Sequence, residues 1–242
     1  MKAYIQIAIR TRIHTADWMV GRQLLDLLAG NGGLLTPEYV SNNADKITSP
    51  FVGIDGSENI WASPVAVRVN GALSEFFDDF AWARKKSIKS SGSVVHTMMN
   101  AKGVIVPGEI IIRAACTAKI DWYSVFRLLC ALFRPQIACM HLFDGLEADA
   151  NIKNNSFQIG SFNSSIKPDV PDMGWAMFYG GEFAEAVDVK SISDAGFFVD
   201  EISNGYLVRV TERLQDVQDD CLYFSRRRLE LKGLFSEGFF LS

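Results

Sequence analysis

The 242 residues contain only three histidines and four cysteines, and no phosphate loop, dinucleotide turn, nucleophile elbow or paired metal-ligand spacing. Each of these would announce an enzyme, so residue chemistry offers no catalytic constellation. The longest apolar run, Trp122 to Phe133, is interrupted by Arg127 and falls short of the ~20 residues that cross a bilayer. An excess of positive charge is also missing. With 24 basic against 28 acidic side chains the net charge is −4, which excludes a broadly basic polyanion binder and suits a basic partner. Cys116, Cys130, Cys139 and Cys221 are irregularly spaced in apolar surroundings, as expected of reduced thiols. The alternating N-terminus, Tyr4 to Arg12, reads as a strand and not a signal peptide, so a cytoplasmic protein is expected.

What is present is ample material for a core: 48% of the residues are hydrophobic. Ile5, Ile7 and Ile9 share one strand face. After Asp17, a helix cap, Trp18 to Ala29 places Leu24, Leu25 and Leu28 on one helix side. Leu34 to Ser63 reads as irregular, with one short helix near Pro37, and Val65 to Val69 as a strand. The stripe Leu73, Phe76, Phe77 and Phe80 predicts a helix from Leu73 to Lys86, and the Ser-rich Lys85 to Ser93 a mobile loop. Further strands are predicted at Glu109 to Ala115, Ile137 to Phe143, Gly174 to Tyr179, Gly196 to Glu201 and Tyr206 to Thr211. Trp122 to Phe133, capped by Asp121, is apolar nearly all round and predicts a central helix. The mixed order of alternating strands and helices points to an α+β fold with an antiparallel or mixed sheet. A single domain, 1–242, is expected, with Lys85–Ser93 and Asp144–Asp172 as the alternative break points.

Candidate chemistry is sparse. Cys139 and His141 share a strand face, and with a carboxylate cluster they supply the alternative reading, a small cytoplasmic hydrolase. The acidic clusters are Glu75/Asp78/Asp79, Asp144/Glu147/Asp149, Glu182/Glu185/Asp188 and Asp216/Asp219/Asp220. As solvated surface they steer a basic partner. Arg10, Arg12, Arg68, Arg113, Arg209 and Arg213 recur on polar strand faces and would suit an anion if those strands shared one sheet. Arg226 to Arg228 reads as stems lying over apolar surface. No cofactor and no metal is expected. Asn154-Asn-Ser156 and Asn163-Ser-Ser165 match the glycosylation triplet, which carries no weight without a secretory route.

Three patches together resemble the bacterial immunity protein 52 family, partners of polymorphic and type VI secretion toxins. They are the N-terminal leucine helix with Leu35-Thr-Pro37, then Met173-Gly-Trp-Ala-Met-Phe-Tyr179, then Gly205-Tyr-Leu-Val-Arg-Val-Thr-Glu212 before the last helix. The chain departs from that family in the turn Arg213 to Asp219. The resemblance implies a non-catalytic cytoplasmic protein that neutralises a cognate toxin, commonly one with a restriction-endonuclease-like nuclease domain. It implies no direct nucleic-acid or membrane partner. An inhibitor of such a cleft sets carboxylates where phosphates would lie, which nominates Asp216, Asp219 and Asp220, then Glu75, Asp78 and Asp79. Trp61 and Trp82 are read either as aromatic anchors for the partner or as core.

Overall fold

A computed structural model describes residues 2–69, 72–100, 103–145 and 172–240. In chain order its strands and helices begin with β1 (Tyr4–Thr11), α1 (Trp18–Gly33), β2 (Tyr39–Ser41), β3 (Ser49–Pro50), α2 (Glu58–Trp61), β4 (Pro64–Val69) and β5 (Ala72–Phe77). They continue with β6 (Phe80–Arg84), β7 (Ser90–Val95), β8 (Met98–Met99), β9 (Ile105–Val106), β10 (Gly108–Ala115), α3 (Trp122–Phe133) and β11 (Ile137–Phe143). The last are β12 (Ala176–Gly180), α4 (Val189–Asp194), β13 (Phe198–Ile202), β14 (Gly205–Arg209), α5 (Asp216–Asp219) and α6 (Cys221–Lys232). The fold is α+β with antiparallel sheet and helices packed on it, as the alternating strands predict.

Two compact units divide the chain: Met1–Arg10 with Arg134–Ser242, and Thr11–Phe133. In the first, strands run in the order β13-β14-β12-β11-β1, all antiparallel. β11 is buried along its whole length, so its residues Ile137 to Phe143 form the core rather than alternating with solvent. α6 lies against this unit through Phe224 and Leu231, its only buried residues.

In the second unit the order is β10-β7-β6-β2-β3, again antiparallel, with β4–β5 and β8–β9 as separate two-stranded hairpins. α1 and α3 pack on each other. The predicted caps hold: Asp17 accepts from the Met19 amide and Asp121 from the Ser124 amide. α3 is not enclosed on all sides, however. It buries Trp122, Val125, Phe126, Leu129, Cys130 and Phe133, while Leu128 on the opposite face is 55% exposed.

Several expectations are corrected here. Residues 73–86 are not a helix but the end of β5, the link Asp78–Asp79 and β6. Aromatic residues favour the pleated surface, and cross-strand partners exist for them: Phe80 faces Val94, and Trp82 faces Gly92. A Cβ at position 92 would collide with the Trp82 indole and the Ile111 carbonyl, so glycine is what lets the indole lie flat across β7. Of residues 85–93, only 85–89 lie between strands, since β7 begins at Ser90. They turn β6 into β7 around Glu38, whose carboxylate accepts from the amides of Lys85 and Lys86 at 2.7 and 2.8 Å and meets the Lys86 ammonium at 3.0 Å. The helix expected near Pro37 is absent; β2 follows there, and the short helix is α2.

Those bonds from Lys86 and Lys85 pull the Glu38 carboxyl from 4.5 down to about 2. Because the folded value lies below the unfolded one, this contribution to stability is complete above pH 4.5 and is lost as pH falls toward 2. Glu38→Gln is therefore expected to be less stable than the parent at pH 7 and to converge with it in strong acid. Urea unfolding midpoints across that range check this; parallel curves for the two proteins would contradict it.

Candidate functional site

At one end of the sheet in the second unit, chain geometry gathers three polar segments. β2 ends at Ser41, opposite Ala81, and β6 begins at Phe80, opposite Val94 near the end of β7. The Asn42–Asp45 turn, the Asp78–Asp79 link and the departure of the chain into β8 thus share that end. The turn is held locally: the Asn43 amide donates to Ser41 Oγ and the Asp45 amide to Asn43 Oδ1, at 3.0 and 2.9 Å. The link is held too, by the Asp78 amide on the Ser63 carbonyl and by Asn42 Nδ2 donating to Asp78 Oδ2, both 2.9 Å.

Between them opens a cleft of about 610 Å³ lined by Asn42, Asn43, Ala44, Asp45, Phe77, Asp78 and Asp79. Three carboxylates line it, and among the described residues no cationic side chain does. Partial burial, and then the neighbouring Asp78 charge, raise the Asp79 carboxyl above its ordinary value. An incoming ammonium or guanidinium would relieve that repulsion while stacking its stem on Phe77.

Of the nominated residues, the structure brings Asp78 and Asp79 together here, with Glu75 two residues upstream of Phe77 in β5 and opposite Ala66. Asp216, Asp219 and Asp220 are committed to local structure. The Arg213 guanidinium meets Asp219 at 3.0 Å and Asp216 at 3.9 Å, and Asp220 caps α6 by accepting from the Tyr223 amide. Asp45 was missed because only the pairing of β2 with β6 sets it beside Asp78, and Phe77, next to Asp78 in the chain, because it was read as part of a helical stripe. Glu147 and Asp149, and both glycosylation triplets, lie outside the described residues.

Trp61 and Trp82 are not partner anchors. They are 1% and 0% exposed and belong to the core. Cys139 and His141 are buried and separately employed: burial raises the Cys139 thiol far above its ordinary value, and His141 Nδ1 accepts the Trp175 amide at 3.1 Å. A thiol so displaced stays protonated and is a poor nucleophile. Among the described residues no group of three or more His, Cys, Asp or Glu could hold a metal ion.

The arginines do not line one face. Arg68 stands on the separate β4–β5 hairpin and Arg10 is buried. A second cleft of about 330 Å³ contains Arg209, its guanidinium 4.0 Å from the Phe198 ring and 5.9 Å from that of Trp175, and Arg227, 3.8 Å from Phe197. Glu212 lines the same cleft and Glu230 pairs with Arg227 at 2.7 Å, so its positive charge is countered. Arg226 and Arg228 also lie over aromatic rings, Tyr223 and Phe224, in keeping with the sequence reading of this triplet.

No family model matches this chain, and no curated protein does. Among solved structures it is similar in fold to the Pseudomonas aeruginosa T6SS protein PA0821, with a TM-score of 0.58 over 98% of this chain and 74% of that one, at 8% sequence identity. The likeness is one of fold. No helix among the described residues is long and apolar enough to cross a membrane.

Proposed function

We propose that this chain is an immunity protein of the type VI secretion system, which binds a cognate toxic effector in the cytoplasm and neutralises it by occlusion, without catalysis of its own. The observation that carries this reading is the fold shared over 98% of the chain with a type VI secretion protein. It is supported by the three patches similar to the immunity protein 52 family and by the acidic cleft of Asp45, Asp78 and Asp79. The effector we favour is a nuclease of the restriction-endonuclease fold. Its cleft must be basic to hold a polyanion, and carboxylates presented on a rigid sheet end compete for those cations where phosphates would lie. The buried, protonated Cys139 and the occupied His141 count against the hydrolase reading.

The test is co-expression with the product of the adjacent reading frame, followed by size-exclusion chromatography and titration. A complex stable at nanomolar concentration is expected. Asp78→Lys with Asp79→Lys should weaken it by about 100-fold, since close charge pairs across an interface carry several kcal/mol. Separate elution of the two wild-type proteins would contradict the reading.

A further inference from the structure

The β8–β9 hairpin presents apolar side chains to water. Met99 is 65% exposed, Val104 54%, Ile105 44% and Val106 37%, and Met99 faces Ile105 across the ladder. An apolar hairpin left bare in this way marks a contact surface more often than a folding defect. Its backbone is held in place. Asn100 and Val104 bond through Asn100 N–H to the Val104 carbonyl at 2.9 Å, and Asn100 Oδ1 accepts the Val104 amide at 3.0 Å. At the hairpin's base the Thr97 amide donates to Thr15 Oγ1 at 2.8 Å.

Its position ties it to the acidic cleft. β7 ends at Val95, beside the start of β6, and the hairpin leaves from that same end of the sheet. Phe77, which lines the cleft, lies 6.3 Å from the His96 ring, two residues before Met98. The cleft and the root of the hairpin therefore lie at the same end of one unit.

We infer that the β8–β9 hairpin and the acidic cleft form a single docking surface, whose occupant is a partner polypeptide carrying a Lys or Arg beside exposed apolar residues. This rests on the immunity reading and deepens it. The cleft takes the cation and sets the register; the hairpin supplies the apolar anchor on which the lifetime of the complex depends. Apolar anchors at the centre of an interface carry most of its free energy, whereas charges at its side act mainly on encounter and salt dependence.

The experiment measures the affinity of the adjacent reading frame's product for four proteins. These are the parent, M99D/I105D, D78N/D79N, and L229D on α6 of the other unit, where Leu229 is 70% exposed. M99D/I105D is expected to weaken binding by about 100-fold with the salt dependence unchanged. D78N/D79N should weaken binding and flatten the salt dependence, and L229D should bind as the parent does. Thermal unfolding of each variant establishes that the fold survives, and the milder M99Q/I105T serves if the double aspartate does not fold. Parent-like binding by the hairpin variant overturns the inference and leaves the immunity reading standing. A parent that binds nothing overturns both. A free protein that is a dimer, and that M99D/I105D converts to a monomer, assigns the hairpin to a second copy and also overturns the inference.

Discussion

Trp61→Ala is expected to lower stability by about 3–5 kcal/mol, the usual cost of emptying a fully buried aromatic site, and to reduce Tm by roughly 6–20 °C. The indole is the point around which the second unit is assembled. Its ring lies 4.8 Å from Phe80, 5.2 Å from His96 and 6.3 Å from Trp18. Helix α1 rests directly on it at Gly21, where any Cβ would strike the ring. Its Nε1 donates to the Thr15 carbonyl at 2.9 Å, and its own carbonyl accepts from His96 Nε2 at 2.6 Å. That acceptor fixes the proton on Nε2, and burial lowers the His96 value, so the ring is held neutral with Nδ1 turned to the Thr15 hydroxyl. Trp61→Phe keeps most of the packing and loses the Nε1 bond, so it should cost about 1–2 kcal/mol. A differential scan showing Trp61→Ala within about 2 °C of the parent would contradict this description.

Phe224→Ala carries the second large expectation, about 3–5 kcal/mol, and a local signature besides. α6 has twelve residues but buries only Phe224 and Leu231, too short and too weakly held to persist by helix propensity alone. The Phe224 ring is 0% exposed, stacks on His141 at 5.7 Å and is covered by the Arg228 guanidinium at 5.0 Å. Without it the helix should open ahead of the sheet, so amide exchange should accelerate across α6 while β11 and β12 remain protected. Unchanged exchange in α6 would show that other contacts hold the helix.

The two substitutions also show which parts of the fold were readable in the residue order. α1 and α3 were legible because their leucine and aromatic stripes, and the caps Asp17 and Asp121, are local signals. β1, β10, β11 and β14 were legible from β-branched alternation or short apolar runs bounded by turn residues. Residues 73–86 misled because Phe76, Phe77 and Phe80 satisfy a helical stripe as well as two strands joined at Asp78–Asp79. The deciding contacts, Phe80 with Val94 and Trp82 with Gly92, are distant in sequence. Likewise Lys85 and Lys86 look loose until Glu38, nearly fifty residues earlier, takes their amides. The candidate site was half visible. Asp78 and Asp79 stood out as acids, but Asn42 and Asp45 join them only through β2–β6 pairing.

Asp216, Asp219 and Asp220 stood out by charge, but their local partners, Arg213 and the Tyr223 amide, were not legible from the charge pattern. In the sheet-end cleft Asp45, Asp78 and Asp79 line one cavity, with no lining cation among the described residues.

The central claim is that this protein acts by covering another polypeptide, and a growth assay tests it most directly. The adjacent reading frame's product is induced in a susceptible host with and without this chain, alongside the Asp78→Lys/Asp79→Lys form. The account predicts arrest with the toxin alone, full growth with the parent protein, and graded loss of protection with the charge-reversed form. Arrest that the parent protein fails to relieve, at levels where both proteins are soluble, would contradict it.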